Sequence, residues 1–143
     1  INPRLTKTYR NLEHYGNPEK ILNDVEKQIR RRILLQTKTL ILTPRYLVEL
    51  SDDICAIIPL PEVLWIYDHA AMRRTIKGRQ LSYTIHVVTM KGEEYTLTGK
   101  SHREVSAIYH ELNTRYPNFF FGYSKEHQEM VQYVLHEMKN EKA

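Results

Sequence analysis

Residues 57–69 read IIPLPEVLWIYDH, an apolar run broken by Pro59 and Pro61 that ends in a carboxylate beside an imidazole. Proline cannot donate to a strand ladder, so the two prolines confine this corner to a bend or a sheet edge. Beyond them, Glu62 to Asp68 places Val63, Trp65 and Tyr67 on one face of a strand and Leu64 and Ile66 on the other. Both faces are largely apolar, so the strand is expected to be covered on both sides, with Trp65 as its packing anchor. Asp68 and His69 would then be the solvated end of that strand. A carboxylate can hold an imidazole tautomer, but neighbours on a strand point to opposite faces and cannot easily bond to each other.

Upstream, "TLILTPRYLVELS" sets β-branched, aliphatic and aromatic residues on both sides of Thr43-Pro44-Arg45-Tyr46, with proline at the second position of a type I turn. This is a hairpin signal. Ser51-Asp52-Asp53 makes the next turn and Ile54 to Ile58 the next strand. Downstream, the polar segment Met72 to Gln80 reads as a loop, followed by a strand at 81–90, a turn at Lys91-Gly92 and a strand from Glu94 to Thr98.

Helices flank these strands. Asn2-Pro3 and Asn17-Pro18 each set a capping side chain before a proline whose missing N–H costs nothing at the first helical position. Leu5, Tyr9 and Leu12 mark a helix over 3–15, with Gly16 as a left-handed cap. Ile21, Leu22, Val25 and Ile29 mark a second over 18–31. Ser101-His102-Arg103-Glu104 is a capping box ahead of the stripe Val105, Ile108, Tyr109 and Leu112. Ser124 caps a last helix with Val131, Val134, Leu135 and Met138 on its inner face, and Asn118–Gly122 ("NFFFG") is a bend that tucks phenylalanines beneath it.

The order is two helices, six or seven antiparallel strands on short turns, and two helices, which predicts an α+β fold. No repeat, linker or boundary interrupts it, so residues 1–143 are expected to form one domain: a helical segment at 1–31, strands over 33–99 and C-terminal helices over 102–141.

At 143 residues, with 41% hydrophobic and 27% charged residues, the chain can bury a real core, and no apolar run approaches the ~20 residues of a membrane span. It begins at Ile1 without a signal peptide and reads as a processed or trimmed piece. The single cysteine, Cys55, excludes an intrachain disulfide and a paired-cysteine zinc site. Its apolar setting marks it as inert. The net charge of +4 comes from the N-terminal third, where ten Lys/Arg stand against five Asp/Glu.

Catalytic signals are sparse. His102 and His110 are eight apart on one helix, ~12 Å and too far for shared ligation; His127 and His136, nine apart, fail likewise. No metal or cofactor is expected. The glycines are scattered singly, so there is no phosphate-cradling loop and no nucleophile elbow. Two basic clusters remain. Lys27, Arg30, Arg31 and Arg32 complement the dipole at the end of the second helix. Arg73, Arg74, Lys77 and Arg79 crowd one segment with no acidic residue among them. These four are the candidate contact to an anionic surface, either lipid headgroups or an acidic protein partner. Nucleic acid is not expected, because no exposed aromatics alternate with the charges.

The phrases "TLILTPRYLVEL", "AIIPLPEVLWIYDH" and "VVTMKGEEYTL", with the capped helix after them, resemble bacterial pleckstrin-homology-like (PH-like) domains over residues 15–116. The segment "YGNPEKILNDVEKQI" is similar to one that follows hydrophobic spans in uncharacterised membrane-anchored bacterial proteins. The resemblance implies a bent antiparallel barrel closed by a C-terminal helix, in a domain that faces the cytoplasm. The chain departs from that pattern in its last helix and in carrying its basic residues at 72–79. Lipid-binding members carry theirs in the first hairpin loop, here Pro44-Arg45.

The sequence is therefore read as a non-enzymatic PH-like binding or scaffolding domain, the soluble part of a membrane-anchored bacterial protein. The alternative is a hydrolase whose site forms only in three dimensions around Asp68, His69 and His86.

Overall fold

Asn17 starts the first well-packed helix. Its side-chain oxygen accepts from the backbone N–H groups of Glu19 and Lys20 at 3.0 and 3.2 Å, and Pro18 fills the first turn. The computed structural model describes residues 3–50 and 55–141. The expected cap at Asn2, the side chain of Leu5, the turn Ser51 to Asp53, Ile54 and the side chain of Cys55 lie outside the described part. Packing divides the chain into two compact units, Ile1–Pro61 and Glu62–Ala143.

In the first unit, α1 (Pro3–Leu12) ends three residues earlier than the spacing predicts. Its last turn loosens into successive i→i−3 bonds from Glu13, His14 and Tyr15 before Gly16 reverses the chain at φ +144°. Helix α2 (Pro18–Arg31) presents Ile21, Leu22, Val25 and Ile29 to a core that holds Leu12, Ile41, Tyr46, Val48 and Ile57. Strands β1 (Leu35–Gln36), β2 (Leu40–Leu42), β3 (Tyr46–Leu50) and β4 (Cys55–Pro59) form an antiparallel sheet in sequence order. The β2–β3 turn lies where Pro44 places it. Gln28 of α2 fastens it, its Oε1 accepting from Thr43 Oγ1 at 2.7 Å and from the backbone N–H of Arg45 at 3.0 Å. The Tyr46 hydroxyl donates to Asp24 on the same helix at 2.6 Å.

A 3-10 turn at Leu60–Glu62 leads into the second unit, which contains β5 (Val63–Thr75), β6 (Gly78–Thr89) and β7 (Glu94–Lys100). Helix α3 (His102–Arg115), the two-residue strand β8 (Phe120–Phe121) and α4 (Lys125–Glu141) follow. The sheet order is β7-β6-β5-β8, with β8 parallel to β5 and the other pairs antiparallel. Both faces are covered, as the composition of "EVLWIYD" predicts. On one side Trp65 is 6% exposed and packs with Leu64, Val88 and Val131 of α4. Its indole N–H donates to the Gly122 carbonyl at 2.9 Å, so the "NFFFG" bend serves as an edge strand and a hydrogen-bond acceptor. The opposite side carries Ile66, Ile85, Val87 and Leu97, all buried, and α3 packs against β6. The capping box of α3 forms: Ser101 Oγ accepts from the Glu104 N–H and Glu104 Oε1 from the Ser101 N–H. Ser124 Oγ likewise accepts from the His127 N–H at the start of α4.

Other expectations change too. Residues 72–80 are a β-hairpin, not a loop: β5 runs on to Thr75 and β6 begins at Gly78. Both faces of this ribbon are solvated, so the apolar alternation that reveals a half-buried strand is missing. Among the described residues the strands form two separate four-stranded sheets rather than one bent barrel. Pro59, Pro61 and the 3-10 turn supply too few N–H donors to carry the ladder from β4 to β5. Among the described residues the strands number eight, because β1 and β8 are only two residues long and carry no periodicity.

Candidate functional site

The β5–β6 pairing carries two clusters of chemically interesting residues. Past Ala70 and Tyr83 the third strand β7 ends its pairing, and the two strands continue alone through the pairs Met72–Leu81, Arg73–Gln80, Arg74–Arg79 and Thr75–Gly78. Every residue from 69 to 81 is exposed. The ribbon extends ~20 Å beyond the covered sheet at the usual strand rise. Its turn is Ile76-Lys77, closed by Gly78 at φ +113°, with the Thr75 hydroxyl donating to the Gly78 carbonyl at 2.9 Å.

All four predicted cations, Arg73, Arg74, Lys77 and Arg79, are on this ribbon, and the hairpin gathers them at its tip. Arg74 and Arg79 stand directly opposite each other, a like-charge pair that weakens the ladder unless an anion sits between or beside them. Strand alternation puts Met72 and Leu81 on the same face as this pair, and Ile76 is fully exposed at the turn. No local periodicity singles out these apolar residues. The signal for them was the turn chemistry of Thr75-Ile76-Lys77-Gly78, flanked by residues able to pair.

The second cluster lies at the root of the ribbon, on the α4 side of the sheet. Tyr67 pairs with His86 and stacks on it at 4.6 Å and 13°, and His69 lies on the same face two residues along. The two imidazoles meet, His86 Nε2 to His69 Nδ1 at 3.1 Å, with ring centroids 5.1 Å apart. Trp65 is 4.4 Å from Tyr67, and Tyr123 leans over both. Burial, then the neighbouring His69, lowers the pKa of His86, while Glu94 opposes the shift. Burial and Glu94 raise that of Tyr67.

Asp68 does not join the histidines. It faces the α3 side, where it accepts a hydrogen bond from the Tyr109 hydroxyl, and Phe121 packs edge-on against the Tyr109 ring at 4.3 Å. The Tyr109 phenol is pushed far above its ordinary range by burial and by that carboxylate. Of the three residues named for a hydrolytic site, the sheet unites two and turns the third to the other face. No group of three or more histidine, cysteine or acidic residues arranged for a metal ion occurs among the described residues. The other basic cluster, Lys27, Arg30, Arg31 and Arg32, is exposed at the end of α2.

No helix among the described residues is long and apolar enough to cross a membrane. A family model described as a domain of unknown function (DUF6709) matches residues 17–131, and the chain belongs to that family. No curated protein and no solved structure matches the chain.

Proposed function

We propose that this DUF6709 family member is a non-enzymatic binding domain whose β5–β6 ribbon docks on an anionic lipid leaflet. The observation that carries the reading is the tip itself: four cations with no acidic residue among them, around a fully exposed Ile76. Near an anionic leaflet each cation contributes about 1 kcal/mol, on the order of 4 kcal/mol for the set. Burying Ile76 among the headgroups adds about 1.5–3 kcal/mol. A two-stranded ribbon with both faces in water is marginal by itself, and its opposed arginines make it more so. A surface that neutralises those charges and takes up Met72, Ile76 and Leu81 would offset that cost.

The PH-like reading and the cytoplasm-facing, membrane-anchored setting belong to the same proposal. Their support is the element order: four antiparallel strands, a three-stranded meander and a capped helix directly after it.

The test is co-sedimentation with phosphatidylserine-containing and purely phosphatidylcholine vesicles across a salt series. Binding should prefer the anionic vesicles and fade as the Debye length shortens from ~10 Å at 0.1 M salt to ~3 Å at 1 M. The combined change of Arg73, Arg74, Lys77 and Arg79 to glutamine should abolish it. Ile76→Ser should weaken it while keeping the salt dependence. Equal binding to both vesicle types at low salt, or saturable binding to duplex DNA without vesicle binding, overturns the proposal.

A further inference from the structure

We propose that His69 and His86 form a two-imidazole site for a divalent transition-metal ion from the copper–zinc end of the first row. The site is independent of the ribbon tip and its cations. It is built by strand register: His86 pairs with Tyr67 and His69 with Thr84, which places the two histidines diagonally on one face. Each backbone position is held by the antiparallel ladder. The His86 ring is held further by Tyr67 stacked at 4.6 Å and 13°. The His86 ring is therefore oriented before any ion arrives, and the exposed His69 ring already lies against it, so little side-chain freedom is lost on binding.

The distance is the central observation. His86 Nε2 and His69 Nδ1 are 3.1 Å apart. Two nitrogens bound at ~2.0–2.1 Å stand about 2.9 Å apart at right-angle coordination and about 3.3 Å apart at tetrahedral coordination. The observed separation lies between these values. Without metal the same distance suits a shared proton. On binding, that proton moves to the distal nitrogen of the ring that carries it, a change of tautomer with no net proton lost. Both proximal lone pairs then face the ion.

The donor set selects the metal. Imidazole nitrogen suits copper, zinc and nickel, and the Irving–Williams order places copper highest. With no third histidine, cysteine or carboxylate grouped here among the described residues, water completes the coordination sphere. The site is thus open, and Mg2+, which prefers oxygen ligands, is excluded by the same chemistry.

Trp65, the one tryptophan of the chain, lies 4.4 Å from Tyr67, which itself stacks on His86. Cu2+ at the pair should quench its fluorescence. The metal-stripped protein is titrated with CuSO4, ZnCl2 and MgCl2, following Trp65 emission and the thermal midpoint. A saturable one-to-one quench by Cu2+ is expected, reversed by EDTA and absent with Mg2+. His69→Ala and His86→Ala should each weaken it at least tenfold, while His102→Ala and His136→Ala leave it unchanged. His69 is exposed, so its removal spares the fold, and near-UV circular dichroism checks the His86 variant. Quenching that persists at the same midpoint in both His69→Ala and His86→Ala, or no saturation below millimolar Cu2+, overturns the proposal. Vesicle binding is read in a separate assay and is unaffected by either result.

Discussion

The Tyr109 hydroxyl of α3 donates its hydrogen to the Asp68 carboxylate of β5, a bond that fastens the helix to the sheet face opposite the histidine pair. Burial, followed by this carboxylate, raises the phenol's pKa, so its folded value exceeds the unfolded value near ~10. The neutral phenol therefore stabilises the fold fully below pH ~10, and the contribution is lost as the pH rises above that, where the unfolded chain gives up its proton. In an alkaline titration followed at 295 nm, Tyr109 should stay protonated until the protein unfolds. Tyr109→Phe should remove that late step and lower stability by about 1–3 kcal/mol. A Tyr109 carbon resonance that titrates near pH 10 in the folded protein would contradict the bond.

Trp65 anchors the other face. Trp65→Ala should cost about 3–5 kcal/mol, from lost transfer energy and a cavity among Leu64, Val88 and Val131. Trp65→Phe keeps much of the apolar volume but loses the bond to Gly122, and should cost less. Urea denaturation orders the two; an alanine variant as stable as the wild type would refute the packing.

Gln28 ties the β2–β3 turn to α2 through a single oxygen that accepts twice. Gln28→Ala should lower stability by about 1–2 kcal/mol, since it leaves the Arg45 N–H to water and the buried Thr43 hydroxyl with only its longer bond to the Tyr46 carbonyl at 3.4 Å. Gln28→Glu keeps the acceptor and should restore most of the loss. Equal destabilisation by both would show that the side chain acts through packing rather than this bond.

Gly78 closes the ribbon turn at φ +113°, and nothing lies within 4 Å of where a Cβ would stand. Gly78→Ala should therefore cost only backbone strain, about 1 kcal/mol, confined to the hairpin. Amide exchange should quicken across the Arg74–Arg79 pair while the global thermal midpoint stays nearly constant. A large global shift would mean that the ribbon is packed rather than projecting.

Elements with local causes were legible in the sequence. The Asn17 and Ser101 caps, the helix over 18–31, the Pro44 turn and the doubly covered strand around Trp65 each depend on residues within a few positions of one another. Capping, turn chemistry and periodicity act over that range, and they settled the α+β class and the core. The four cations were visible as a cluster for the same reason. What they are mounted on was not, because a ribbon solvated on both faces has no buried side to impose alternation. The meeting of His69 with His86, and the turning of Asp68 away towards Tyr109, were decided by tertiary structure. Residues 17 and 41 positions apart come together only through strand register and helix docking, and no local spacing encodes either.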